Sequence, residues 1–189
     1  VFVSDLNIEK FFFGKDTVGN VSVKVNNERE NTYAADIRIS ENGNDVQLIG
    51  DFIAPPVGEA TLNAKLLLKP MSLKTVQAFS MGYLENCAGD LAGELAITGT
   101  LNAPRINGDL TFNQGRINIA MLNADLLMDQ QSIRFNDQGI QFRQFEIKDS
   151  RGNLAKLNGT IRTSSYTDFD FNLNLSTDDF AAVNSTRED

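Results

Sequence analysis

Leu91-Ala92-Gly93-Glu94-Leu95-Ala96-Ile97-Thr98-Gly99-Thr100-Leu101-Asn102-Ala103-Pro104-Arg105-Ile106-Asn107-Gly108-Asp109-Leu110 is the stretch whose reading decides the fold. Leu91, Gly93, Leu95, Ile97, Gly99 and Leu101 share one parity, and small or polar residues fill the other. Successive side chains of a strand point to opposite faces, so this period of two describes a strand with one apolar face. Asn102-Ala103-Pro104 carries turn residues, and Ile106, Gly108, Leu110 and Phe112 bring the same alternation back.

Working outward, the pattern repeats in both directions. Upstream lie Val21, Val23 and Val25, then Tyr33, Ala35, Ile37 and Ile39, then Val46, Leu48, Gly50 and Phe52, then Leu62, Ala64, Leu66 and Leu68. Glu41-Asn42-Gly43-Asn44-Asp45 reads as a tight hairpin connection, because Asn and Gly tolerate the positive φ that such turns need. Downstream, Asn113-Gln114-Gly115 reads as a turn into Ile117 and Ile119. Ile133 and Phe135 lead through Asn136–Gly139 to Ile140 and Phe142. Parity slips between Phe142 and Phe145, which predicts a bulge or a very tight turn at Arg143-Gln144. Leu157, Gly159 and Ile161 continue, and Phe169, Phe171, Leu173 and Leu175 close the series. Turn signals arrive about every 8 to 12 residues, as in an all-β sandwich, barrel or meander.

One segment departs from this period. After Pro70 and Met71, Ser72 can cap a first turn, and Leu73, Val76, Ala78 and Phe79 make a short apolar stripe at helical spacing. The expectation is a single elongated β domain over 1–189, with sub-halves 1–69 and 89–177 joined by a helical segment 70–88, and a flexible tail over 178–189. The chain opens at Val1 directly in a strand-like stretch, as a piece of a longer protein would.

Composition excludes several kinds of function. The chain carries 25 acidic against 17 basic residues, a net charge of −8, with no basic cluster, so no nucleic-acid partner is expected. It contains no histidine, which removes the usual general base, the Ser-His-Asp arrangement and histidine metal sites. A single cysteine, Cys87, rules out an intrachain disulfide or a cysteine cage. Asp168 and Asp170 alternate with Phe169 and Phe171 and read as the polar side of a strand. Asp178-Asp179 opens the charged tail. No catalytic, cofactor or metal residue stands out, and a non-enzymatic protein is expected. No apolar run approaches the roughly 18 residues of a membrane-spanning helix.

The stretch 91–110 resembles the G-x-L-x-I-x-G-T-L-x-x-P-x-I-x-G-x-L signature of the C-terminal domain of the TamB family, inner-membrane subunits of the translocation and assembly module within the wider AsmA-like group. Ile133-Arg134-Phe135, Phe145-Glu146-Ile147-Lys148-Asp149 and Leu157-Asn158-Gly159-Thr160-Ile161 are similar in style. The resemblance covers most of 90–175 and, more loosely, 46–73. It implies a periplasmic segment of a Gram-negative envelope protein anchored in the inner membrane. It also implies an Omp85-family outer-membrane barrel as partner, and a role in outer-membrane biogenesis, protein translocation and phospholipid transport. The fold it implies is a long antiparallel sheet curled into an open, taco-like trough with an apolar interior. The family's N-terminal anchor helix and extreme C-terminal segment have no counterpart in this sequence.

Apolar side chains on one parity must leave water, each burial being worth roughly 1.5–3 kcal/mol. Two stacked sheets, a closed barrel and a curled trough all achieve this. Glycines on the apolar parity (Gly50, Gly93, Gly99, Gly108 and Gly159) favour the trough, because they let a sheet bend tightly. Its expected lining is Leu95, Ile97, Leu101, Ile106, Leu110, Phe112, Ile117, Ile119, Phe135, Phe142, Ile147, Ile161, Phe171 and Leu173. The expected client is a phospholipid acyl chain or an unfolded outer-membrane protein strand. A structural spacer and a surface β-sandwich adhesion module are the alternatives, and self-association through sheet edges is a further expectation.

Overall fold

A computed structural model describes residues 2–183. The chain forms β1 (Val3–Phe13), β2 (Asp16–Asn26), β3 (Thr32–Glu41), β4 (Asn44–Ile53) and β5 (Thr61–Ser72), then helix α1 (Leu73–Phe79). After the helix come β6 (Leu84–Thr100), β7 (Pro104–Ile119), β8 (Ala124–Met128), β9 (Gln131–Asn136), β10 (Gly139–Lys148), β11 (Leu154–Arg162) and β12 (Asp170–Thr177). All pair antiparallel in one twelve-stranded sheet. The path is a meander in which β8 and β9 share one place: β7 pairs with β8 through Gly115–Ile119 and with β9 through Gly108–Phe112. β1 and β12 pair on one side only, so the sheet is open rather than a barrel. Among the described residues there is no second sheet, so it is not a sandwich either.

The sheet curls. A seven-residue helix is about 10 Å long, yet α1 packs against β2, β5, β6 and β7, and the Phe79 ring lies 4.8 Å from that of Phe13 on β1. In a flat sheet β2 and β7 would stand roughly 24 Å apart. Between β6 and β7 the backbones approach closely. A Cβ on Gly93 would lie 2.1 Å from the Asp109 carbonyl oxygen, and one on Gly108 would lie 2.0 Å from that of Glu94. Both residues have positive φ, +148° and +143°, so only glycine allows this crossing of β6 and β7 without strain.

Helix α1 is shorter than the expected segment 70–88, because β5 runs on to Ser72 and β6 begins at Leu84. Ser72 does cap it, its hydroxyl accepting the Lys74 N–H at 3.3 Å. Leu73 and Thr75 are fully buried. Asn44, also buried, ties the helix to the sheet. Its amide donates to the Val18 carbonyl and to Thr75 Oγ1, both at 2.8 Å, and its oxygen accepts the Ser72 N–H at 2.9 Å.

Asn113-Gln114-Gly115 is not a turn. β7 runs through it from Pro104 to Ile119, and Gln114, with φ +48°, forms a bulge that moves the apolar parity from even residues to odd. Arg143-Gln144 is a bulge, with Gln144 at φ +49° and its N–H held by Asn158 Oδ1 at 2.7 Å. Two residues of the expected tail 178–189 make hydrogen bonds to the turn after β10. The Asp179 carbonyl accepts bonds from Arg151 and Asn153, and the Ala181 N–H donates to Asp149. Residues 184–189 lie outside the described part of the chain.

Candidate apolar trough

Register decides what the alternation can do. A one-residue slip would turn a strand's apolar set to the other face, so an apolar floor forms only if every pair is in phase. They are. Leu6, Val23, Ile37, Leu48, Leu66, Leu95, Gly108, Phe135, Ile140, Ile161 and Phe171 are cross-strand partners one after the next from β1 to β12. A parallel row runs Ile8, Val21, Ile39, Val46, Leu68, Gly93, Leu110, Ile133. Eleven strand places at about 4.8 Å each make roughly 48 Å of unbroken apolar floor.

The opposite face is polar and laced with ion pairs. Arg134 makes a two-pronged contact with Asp109 at 2.8 and 3.0 Å, directly across the β7–β9 ladder. Those hydrogen bonds hold the Asp109 carboxyl below its ordinary range. Arg116–Asp125 at 2.7 Å, Lys65–Glu94 at 2.8 Å and Glu146–Lys156 at 3.4 Å repeat the arrangement. Such exposed pairs contribute little energy each. Their effect here is to mark which face meets water.

The floor is not uniform. From β4 to β11 it closes into two packed clusters joined through Leu91 and Ile133. One holds Leu73, Cys87, Phe112, Met128 and Phe145, with the Phe145 ring edge-on to both Phe112 at 5.8 Å and Phe142 at 5.5 Å. The other holds Val46, Leu68, Leu95 and Leu110. Of the expected lining, Leu95, Leu110 and Phe112 are buried in these clusters, and Ile106, Ile117, Phe135, Phe142 and Ile147 pack against them. Ile97, Ile119 and Ile161 are half-buried and belong to neither. Phe171 and Leu173 lie on the floor side of β12 but remain exposed, Phe171 at 65%. Leu101 lies in the bend beyond the end of β6 and is 62% exposed, so it is corrected from wall to turn. Thr100 ends the strand and Asn102-Ala103 starts the reversal one residue earlier than the alternation suggests.

The more open part of the floor is N-terminal, where the half-buried Val21, Val23, Val25, Ile37 and Leu48 belong to neither cluster. Their alternation was plain in the sequence, but their standing as the open part was not. That depends on α1 and the Phe112–Phe145 cluster filling the other region.

Between Gln141 and Lys148 the inner edge of β10 has no ladder partner, since β9 stops pairing at Arg134 and β8 begins at Leu127. Gln131 bridges the gap, its Oε1 accepting the Glu146 N–H at 2.8 Å. A cleft of about 290 Å³ opens there, lined by Gln114, Asp129, Glu146 and Lys148 among others. Among the described residues no group of three or more acidic or cysteine side chains is placed to hold a metal ion, and no helix is long and apolar enough to cross a membrane. Burial pushes the Cys87 thiol up, away from the reactive thiolate. Comparison of the chain with protein-family models, with curated proteins and with solved structures finds no match to any of them.

Proposed function

We propose that this sheet is a hydrophobic conduit segment that shields an apolar client, a phospholipid acyl chain or a nascent outer-membrane protein strand, in the periplasm during outer-membrane biogenesis. It acts without enzymatic chemistry. The parent protein is anchored in the inner membrane and works with an Omp85-family barrel. The TamB resemblance supports the setting and the partner. One observation carries the mechanism: an in-phase apolar floor across the whole meander, on which Val21, Val23, Val25, Ile37 and Leu48 of β2 to β4 stay half-buried and join neither packed cluster. Apolar contact holds acyl chains without any specific polar group, which matches the lack of a built polar site on that face. A spacer accounts for the two packed clusters but gives no reason for the half-buried apolar floor of β2 to β4 that joins neither.

The test is binding of a fluorescent fatty acid to the purified chain. The wild type should bind it, and Val23→Asp with Ile97→Asp should weaken binding about tenfold or more, some 1.4 kcal/mol, with the β circular-dichroism spectrum unchanged. If neither the probe nor an amphipathic β-strand peptide binds the wild type, the conduit reading is wrong.

A further inference from the structure

The two ends of the strands are not alike. Helix α1 lies at the end where β1 and β7 finish and β2 and β6 begin, and it packs against β2, β5, β6 and β7. Leu73 and Thr75 on the helix and Val18 on β2 are fully buried there. Burial falls along the strands away from the helix. The cross-strand partners Val46 and Leu68 are buried, and Leu48 and Leu66, two residues further on, are half-buried. In the last row, Tyr33 is 40% exposed opposite a half-buried Phe52, with their rings 6.3 Å apart.

Polarity follows the same direction. Of the buried polar side chains at the helix end, Asn44 and Thr75 are already bonded to each other, so a head group placed there would lose its water without a new partner. At the far end the loops 27–31 and 54–60 carry the exposed Glu28, Arg29, Glu30 and Glu59, where a head group stays hydrated. The distance suits one acyl chain. From Tyr33 to Ile39, β3 runs for roughly 20 Å, and a single lipid leaflet is about 15 Å deep, half the hydrocarbon core of a bilayer.

We infer that an acyl chain lies along the strands with its terminal methyl toward α1 and its polar head at the Tyr33–Phe52 end. Helix α1 is the stop that sets this direction. The inference rests on the reading of the floor given above and adds an orientation to it.

The chain contains no tryptophan, so a single introduced one reports on its own surroundings. The probe is stearic acid carrying a nitroxide quencher either beside the carboxylate or near the terminal methyl. Tyr33→Trp should be quenched more strongly by the carboxylate-end label. Val21→Trp, on the helix side of the floor, should be quenched more strongly by the methyl-end label. Both variants should keep the β circular-dichroism spectrum, and the conservative Tyr33→Trp decides the matter alone if Val21→Trp does not fold. Equal quenching of Tyr33→Trp by the two labels, or stronger quenching by the methyl-end label, overturns the orientation and leaves the floor a binding surface. Absence of quenching by either label also overturns it. That last result reaches the conduit reading only if the fluorescent fatty acid and the strand peptide fail to bind the wild type as well.

Discussion

Asp149 shows how one side chain can organise a turn and the segment that returns to it. Its Oδ1 accepts the N–H groups of Arg151 and Asn153 at 2.9 and 2.8 Å, and its Oδ2 accepts the Asn153 amide and the Ala181 N–H, both at 3.0 Å. Led by the bond from Ala181, these donors pull the carboxyl from its ordinary 3.8 down to about 2. A depressed folded-state value means that the stabilisation is fully present above about pH 4 and is lost as pH falls through about 2. Urea midpoints of the wild type should therefore fall between those limits and be flat near neutrality. Asp149→Asn should start from a lower midpoint at pH 7 and lose less on acidification. Equal acid losses in the two proteins would remove Asp149 from this role.

At the scale of elements, phase is the quantity that the sheet preserves. The bulge at Gln144 adds one residue to β10 against β11 and keeps both Phe142 and Phe145 on the floor side, where their rings meet. Removing Gln144 restores a regular strand, with Phe142 still opposite Gly159 and Phe145 opposite Leu157, so the deletion variant is expected to fold. Removing Asp36 from the middle of β3 has the opposite consequence. It throws Ile37 and Ile39 out of phase with Val23 and Val21, and each misplaced side chain forfeits roughly 1.5–3 kcal/mol of burial. Soluble yield and near-ultraviolet circular dichroism should separate the two deletions. A folded Asp36 deletion would mean that register is not enforced by the floor. Alternation alone revealed most of these elements. It missed β8, Ala-Asp-Leu-Leu-Met, whose adjacent leucines break the period, and it misread Asn113–Gly115, because turn residues also suit a bulge.

The whole molecule has a packed region and an open one, and they should respond differently to truncation. Phe112 is 9% exposed and locked against Phe145, so Phe112→Ala should cost about 3–5 kcal/mol. Val23 is half-buried and belongs to neither packed cluster, and Val23→Ala should cost well under half as much while still weakening the fatty-acid probe. Chemical denaturation of both variants checks the contrast. Equal costs would mean that the floor over β2 to β5 is core, closed to any guest. Phe112→Glu would report on folding rather than on binding, because Phe112 is part of the packed cluster.

The sequence by itself determined the all-β class, the apolar parity of most strands, the Ser72-capped helix and the slip of parity at Arg143-Gln144, because each is written in local spacing or in one residue's backbone preference. It left open whether the apolar faces would meet in a sandwich, a barrel or a trough. Tertiary structure decided that through pairings between residues far apart in the chain: β5 with β6 across the helix, β7 with both β8 and β9, and no bond from β1 to β12. It also decided which floor residues are sealed and which are left open, since that follows from where α1 and the Phe112–Phe145 cluster come to rest. Burial is a property of neighbours, and the neighbours of Leu95 or Val23 are fixed by register across the sheet rather than by the residues beside them in the chain.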